Sequence, residues 1–142
     1  MANTIDLLAF APSSGDQTLF SGGRGQSCTG RLKLAQRWLL EFFTESGSVP
    51  YASERGCDFL RRAREGGLAS ELDVFQAFAL AAAGIRRNLV SEETDANEDK
   101  ERFVGAVLQA VTVQPGSVSL QVGIQSRAGQ TFKVLFPITV RP

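Results

Sequence analysis

The 142 residues predict an α+β fold with helices first and strands last, and three observations carry that prediction. Apolar residues recur about every 3.6 positions through residues 31–92 and switch to a period of about 2 in the last third. Glycine and proline pairs punctuate both regions. The expected organisation is an N-terminal arm or loose hairpin over residues 1–30 and one α+β domain over residues 31–142. That domain is expected to hold two main helices plus a short one, and a C-terminal three-stranded antiparallel meander with an exposed edge strand.

In chain order, the apolar runs Ile5–Phe10 and Thr18–Phe20 alternate with turn-rich pieces around Pro12–Asp16 and Ser21–Gly23, which predicts the irregular arm. From Gly30, Leu32, Ala35, Leu39 and Phe42 step at helical spacing, with Leu34, Trp38 and Phe43 widening the apolar side. Lys33, Arg37, Glu41 and Thr44 form the opposite stripe and are expected in water. Gly47 is read as the left-handed residue closing this helix, and Pro50 prevents its resumption. A short helix near Asp58–Arg64 ends at Gly66-Gly67. Ser70 is the expected N-cap of a long helix from Glu71, with Asp73 completing a capping box. Phe75, Phe78, Ala82, Ile85 and Leu89 are its expected buried face.

Three strands follow. The first spans about Val104–Val113 and precedes Pro115-Gly116, a type II turn signal. In the second, Val118, Leu120, Val122 and Ile124 alternate with Ser119, Gln121, Gly123 and Gln125. After a reversal at Ala128-Gly129, Phe132, Val134, Phe136, Ile138 and Val140 alternate again. Pro137 has no backbone donor and so belongs on a sheet edge or beyond the paired part of its strand, and the last strand is expected to be an edge. Val134→Pro is accordingly expected to spare folding while removing a donor from that edge.

Composition narrows the function classes. A chain of this length buries roughly two thirds of its unfolded surface and folds without covalent staples. Cys28 and Cys57 lack CxxC spacing and histidine is absent, which excludes a zinc finger and a disulfide scaffold. Fifteen basic and fifteen acidic residues cancel, so no nucleic-acid partner is expected. No apolar run reaches the roughly 18 to 20 residues of a membrane span, and no signal sequence opens the chain, so no membrane partner is expected and assembly belongs in the cytosol.

No cofactor, metal or catalytic group is expected either. Asp95, Asn97 and Asp99 alternate like early calcium-loop ligands, but the sharp-turn glycine and terminal bidentate glutamate are missing. Without histidine, and with no Gly-x-Ser-x-Gly elbow around its serines, the chain lacks the usual parts of nucleophilic hydrolysis. Glu92, Glu93, Glu98 and Glu101 lie in a polar segment where nothing would desolvate one of them. Gly22-Gly23-Arg24-Gly25 lacks the Gly-Lys-Ser/Thr ending of a phosphate loop. The arginines at 61, 62, 64, 86 and 87 form basic clusters able to pair with a partner's carboxylates.

The order of parts, an amphipathic helix ending in Thr44-x-x-Gly47, the turn Gly56-Cys57-Asp58-Phe59-Leu60, a long second helix, an acidic linker and a terminal meander, resembles the gp25-like baseplate wedge proteins, the sheath initiators of contractile phage tails. The resemblance covers about Gly30 to Val140 and is strongest at Thr44–Gly47, Gly56–Leu60 and Glu101–Val113. The family commonly places a Glu-Pro-Arg triplet before its sheet; Glu101 and Arg102 stand there without the proline. The resemblance implies a non-enzymatic virion protein of the tail baseplate, assembled in the host cytoplasm. Its implied partners are the tail sheath protein and other wedge and tube or hub proteins, with repeated copies around a six-fold tail. It further implies strand exchange with the first sheath ring, in which Glu101, Arg102, Val134, Phe136 and Ile138 are the expected partner-binding residues. The other readings are a neck or tube-completion adaptor and a tail-borne peptidoglycan hydrolase using Glu98 or Glu101.

Overall fold

The computed structural model describes residues 30–140 together with strands β1 (Asp6–Leu8) and β2 (Gln26–Cys28). These two strands pair antiparallel, Asp6 opposite Cys28 and Leu8 opposite Gln26. The expected run Thr18–Phe20 and the glycines 22–25 lie outside the described residues.

Three helices follow: α1 (Gly30–Phe43), α2 (Phe59–Arg64) and α3 (Glu71–Glu92). The α3 start is built as its sequence predicts. Asp73 N–H donates to Ser70 Oγ at 3.2 Å, and Ser70 N–H donates to Asp73 Oδ2 at 3.2 Å. Two otherwise orphaned donors are thereby satisfied in the first turn. The α1 end differs from expectation. The helix stops at Phe43, and Gly47, at φ +79°, sits beyond it in a turn closed by Ser48 N–H to Glu45 O at 3.1 Å. A tertiary contact ends the helix early, because the chain at Thr44–Ser46 turns to pair with Cys57.

The sheet contains β3 (Phe103–Gln114), β4 (Ser117–Ser126) and β5 (Thr131–Thr139) in the antiparallel order β3-β4-β5. Gly116, at φ +79° after Pro115, makes the first reversal, as a type II turn requires. The β3–β4 register is broken between Phe103 and Gly105 and again between Leu108 and Ala110, whereas β4 and β5 pair without interruption.

One face of the sheet presents Val118, Leu120, Val122, Ile124, Phe136 and Ile138 to the helices, and these side chains are buried with Leu34, Trp38, Phe42, Phe59, Ile85 and Leu89. Phe42 lies at the centre. Its ring is 5.1 Å from Trp38, 4.9 Å from Phe59 and 5.4 Å from Phe136, so one side chain ties α1 to α2 and β5.

Two helix faces are corrected by this packing. On α3 the buried row is Val74, Ala77, Phe78, Ala81, Ile85, Asn88 and Leu89, while Phe75 is 45% exposed and Ala82 half-buried. Ala77 and Ala81 let neighbouring elements approach closely, which rotates the buried stripe away from Phe75. On α1 the stripe expected in water is largely enclosed: Glu41 is buried, and the Lys33 and Arg37 side chains are mostly covered. The last turn of α3 and the segment after it bring charges of the opposite sign against this side of α1.

Candidate functional site

The expected site residues fall into two places. Val134, Phe136 and Ile138 lie on β5, paired with Val122, Leu120 and Val118 of β4. Phe136 and Ile138 are buried and Val134 is half-buried, so their side chains serve the core. What β5 leaves available is its backbone, since no strand pairs with its outer side among the described residues.

The hydrogen-bond parity of that backbone can be read from its ends. Ser126 N–H donates to Gln130 O at 2.8 Å and Val140 N–H donates to Gly116 O at 3.2 Å. The register between them is unbroken, so the even-numbered β5 residues bond to β4 and the odd-numbered ones turn their backbone groups outward. Pro137 is odd, so its missing donor belongs to the free side and costs the sheet nothing. Lys133, Leu135 and Thr139 carry the outward N–H groups. This corrects the expectation for Val134→Pro: the Val134 donor belongs to the β4 ladder, so proline there breaks the sheet interior. Leu135→Pro is the substitution that touches only the edge. The exposed side chains of β5 are Thr131, Lys133, Leu135, Pro137 and Thr139, among which Lys133 alone is charged.

Glu101 and Arg102 are placed differently. Glu101 is fully buried, 3.7 Å from Lys33 Nζ, and its carbonyl accepts from Arg37 Nη1 at 3.1 Å. Arg37 also lies 3.5 Å from the carboxylates of Glu92 and Glu93 and donates to Leu89 O at 3.3 Å. Glu93 in turn accepts from Phe103 N–H at 2.6 Å. Arg55 joins Glu41 to Glu92, and Glu41 Oε2 accepts from Gly56 N–H at 3.0 Å and from Asn88 Nδ2 at 3.2 Å. These residues form a low-solvent ion network that fastens α1 to the end of α3 and the start of β3, with Glu101 inside it rather than on a surface.

Arg102 lies at the network's margin. Its Nη2 donates to Thr94 O at 2.6 Å and Asp95 Oδ1 at 3.2 Å, and it lines an open cleft of about 500 Å³ with Val90, Phe103 and Arg127. The three residues with calcium-like spacing diverge in their contacts: Asp95 meets Arg102, Asn97 accepts from Thr94 N–H, and Asp99 lies 3.8 Å from Arg127.

The buried roles of Glu41 and Asn88 were not visible in the sequence, because polar residues on a helix read as solvated until their partners are known. Replacing Glu41 with Gln should destabilise the fold by about 1 to 3 kcal/mol, since the buried carboxylate that accepts from Gly56 N–H and Asn88 becomes neutral and Arg55 keeps only Glu92 as a counter-charge. A urea midpoint equal to that of the parent protein would show that the network adds no stability.

A second cleft, of about 400 Å³, opens between the 44–58 loop, α2 and α3. Cys57 lines it, but burial pushes this thiol up to about 11, outweighing the opposing hydrogen bond from the Phe59 backbone; Asp58 and Glu41 raise it further. The thiol is therefore protonated at neutral pH and donates to Phe42 O at 3.2 Å.

No family model matches the chain, and neither a curated protein nor a solved structure matches it. No helix among the described residues is long and apolar enough to cross a membrane.

Proposed function

We propose that this chain is a structural, non-enzymatic component of a contractile phage tail baseplate that initiates the sheath by strand exchange along the free side of β5. The observation carrying this reading is the outer edge of β5, which no strand covers among the described residues and along which the odd-numbered residues, Pro137 excepted, turn their backbone N–H groups away from β4. Strand addition there supplies backbone hydrogen bonds in register. The opposite edge, β3, is less suited to it, because two bulges break its line. Lys133 and Pro137 keep the β5 edge from indiscriminate pairing, which favours a short cognate strand over general aggregation.

The resemblance of Thr44–Gly47, Gly56–Leu60 and Glu101–Val113 to the gp25-like sheath initiators supports the assignment to a tail. On this reading the partners are the sheath protein and neighbouring wedge and tube or hub proteins, the copies are arranged around a six-fold tail, and the protein resides in the virion. Arg102 and the more exposed Arg127 line the open cleft, and on this reading they would meet a wedge partner there.

The test compares phage carrying Leu135→Pro with phage carrying the parent gene, by negative-stain electron microscopy of lysates. Tubes and baseplates without ordered sheath are expected from Leu135→Pro, with purified variant protein still folded by circular dichroism. Normal contractile tails from that variant would overturn the proposal. Val134→Pro serves as the contrast, because it should lose folded protein altogether.

A further inference from the structure

Helix α3 keeps a second apolar face in water. Leu72 is 65% exposed, Phe75 45% and Val90 49%, although the side of a helix turned away from its own domain is ordinarily polar. The line directly opposite the buried row runs through Leu72, Ala79, Ala83 and Val90, all of them exposed. Leu72 and Val90 share that line because about five full turns of helix separate them, a length of about 27 Å. The line points away from the core, so it takes no part in the edge-strand reading.

The charges beside this line are divided by sign, and that division identifies what covers it. Glu71 and Asp73 lie at the N-terminal end of α3, and Arg86 and Arg87 lie toward the C-terminal end. Glu92, the acidic residue of that second end, is already engaged by Arg37 and Arg55. A second α3 laid antiparallel, its midpoint between Ala79 and Ala83, therefore brings each end against its complement. Leu72 comes level with Val90 of the second copy and Ala79 with Ala83, apolar against apolar and small against small. On one side of the line Phe75 comes beside Arg86 of the second copy, and on the other Asp73 and Gln76 come beside Arg87, so a guanidinium meets an aromatic ring and a carboxylate at each end. The alanines allow the two helix axes to approach closely, and two-fold symmetry makes each contact occur twice. A parallel arrangement would set Arg86 and Arg87 against themselves, so the charge pattern selects the antiparallel one. An unrelated apolar surface would match Leu72 and Val90 alone, whereas a second copy matches the apolar, small and charged positions together.

We infer that this face of α3 is a homodimer interface, in which two copies of the chain pack α3 against α3 in antiparallel orientation about a two-fold axis between Ala79 and Ala83.

The inference does not rest on strand exchange at β5, and its test is separate. The full chain is followed by sedimentation equilibrium from about 5 to 500 µM, a range suited to a contact made by one helix from each copy. A monomer–dimer equilibrium is expected, and it should weaken as salt is raised because unlike charges meet at both ends. Ala83→Glu sets an unpaired carboxylate against Ala79 of the second copy and should weaken association at least about tenfold. Changing Arg86 and Arg87 together to Glu should weaken it as well, since both ends then carry like charge. All three side chains are exposed, so these variants should keep the fold, and circular dichroism checks that they do. Leu135→Pro should leave association unchanged. Orientation is read by disulfide trapping in a Cys28→Ser background, Cys57 being buried. A mixture of Ala79→Cys and Ala83→Cys proteins should cross-link one to the other in preference to either with itself, because only the mixed pair stands level across the axis. A chain that stays monomeric throughout the range would overturn the inference, as would a dimer that tightens with salt, one retained in Ala83→Glu, or one lost in Leu135→Pro, which would place the contact at β5. Preferential cross-linking of each cysteine variant with itself would overturn the antiparallel arrangement and the inference with it.

Discussion

Gly56→Ala is expected to destabilise the protein by about 3 to 4 kcal/mol, from backbone strain and a steric collision acting together. Gly56 adopts φ +86°, which side-chain-bearing residues rarely tolerate, and a Cβ there would lie 2.3 Å from Thr44 O and 2.8 Å from Thr44 C. Both close atoms are backbone, so no side chain can turn aside to relieve the contact. The carbonyl in question accepts from Cys57 N–H at 2.9 Å, and Gly56 N–H itself donates to the buried Glu41 carboxylate at 3.0 Å. Moving the backbone to admit a methyl group would therefore disturb loop closure and the ion network at once. Urea unfolding measures the effect. A loss below about 1 kcal/mol, the range of an ordinary exposed glycine substitution, would mean that the loop rearranges freely.

Phe42→Ala is the second large effect, with an expected loss of about 3 to 5 kcal/mol. The ring is fully buried and touches aromatic groups from every helix and from β5: Trp38 stacked at 5.1 Å, Phe59 at 4.9 Å, Phe136 at 5.4 Å and Phe78 at 6.4 Å. Its removal leaves a cavity among rigid rings that cannot collapse easily, which places the cost toward the upper end for such substitutions. Leu135→Ala provides the comparison within the same experiment. That side chain is 72% exposed on the outer face of β5, and its truncation should move stability by less than about 0.5 kcal/mol. Similar urea midpoints for the two variants would contradict the packing described for the core.

Much of the framework is written locally. The Ser70–Asp73 capping box appears in the structure as hydrogen bonds in both directions because its groups lie within one turn of helix. Pro115-Gly116 reverses the chain as expected because the required dihedral angles are properties of those two residues. Strand alternation was equally legible, and the alternating apolar residues of β4 all face the helices.

The misreadings share a cause. Phe75 and Val74 are adjacent on a helix with apolar residues around much of its girth, and periodicity cannot say which flank another element will cover. Glu41 and Glu101 read as solvated because their burial depends on Arg55, Asn88 and Lys33, residues remote in sequence. Val134 and Leu135 look interchangeable as edge donors until the bonds at Ser126 and Val140 set the parity of the strand.

By itself, the amino-acid sequence determined the number, order and type of the elements from α1 to β5, because turn dihedrals, caps and the switch of apolar period are set by residues close together in the chain. Only the tertiary structure decided which charges are buried and which backbone groups of β5 remain outward. Those outcomes depend on long-range pairing and on desolvation shared between distant residues, neither of which has a signature within a single stretch of sequence.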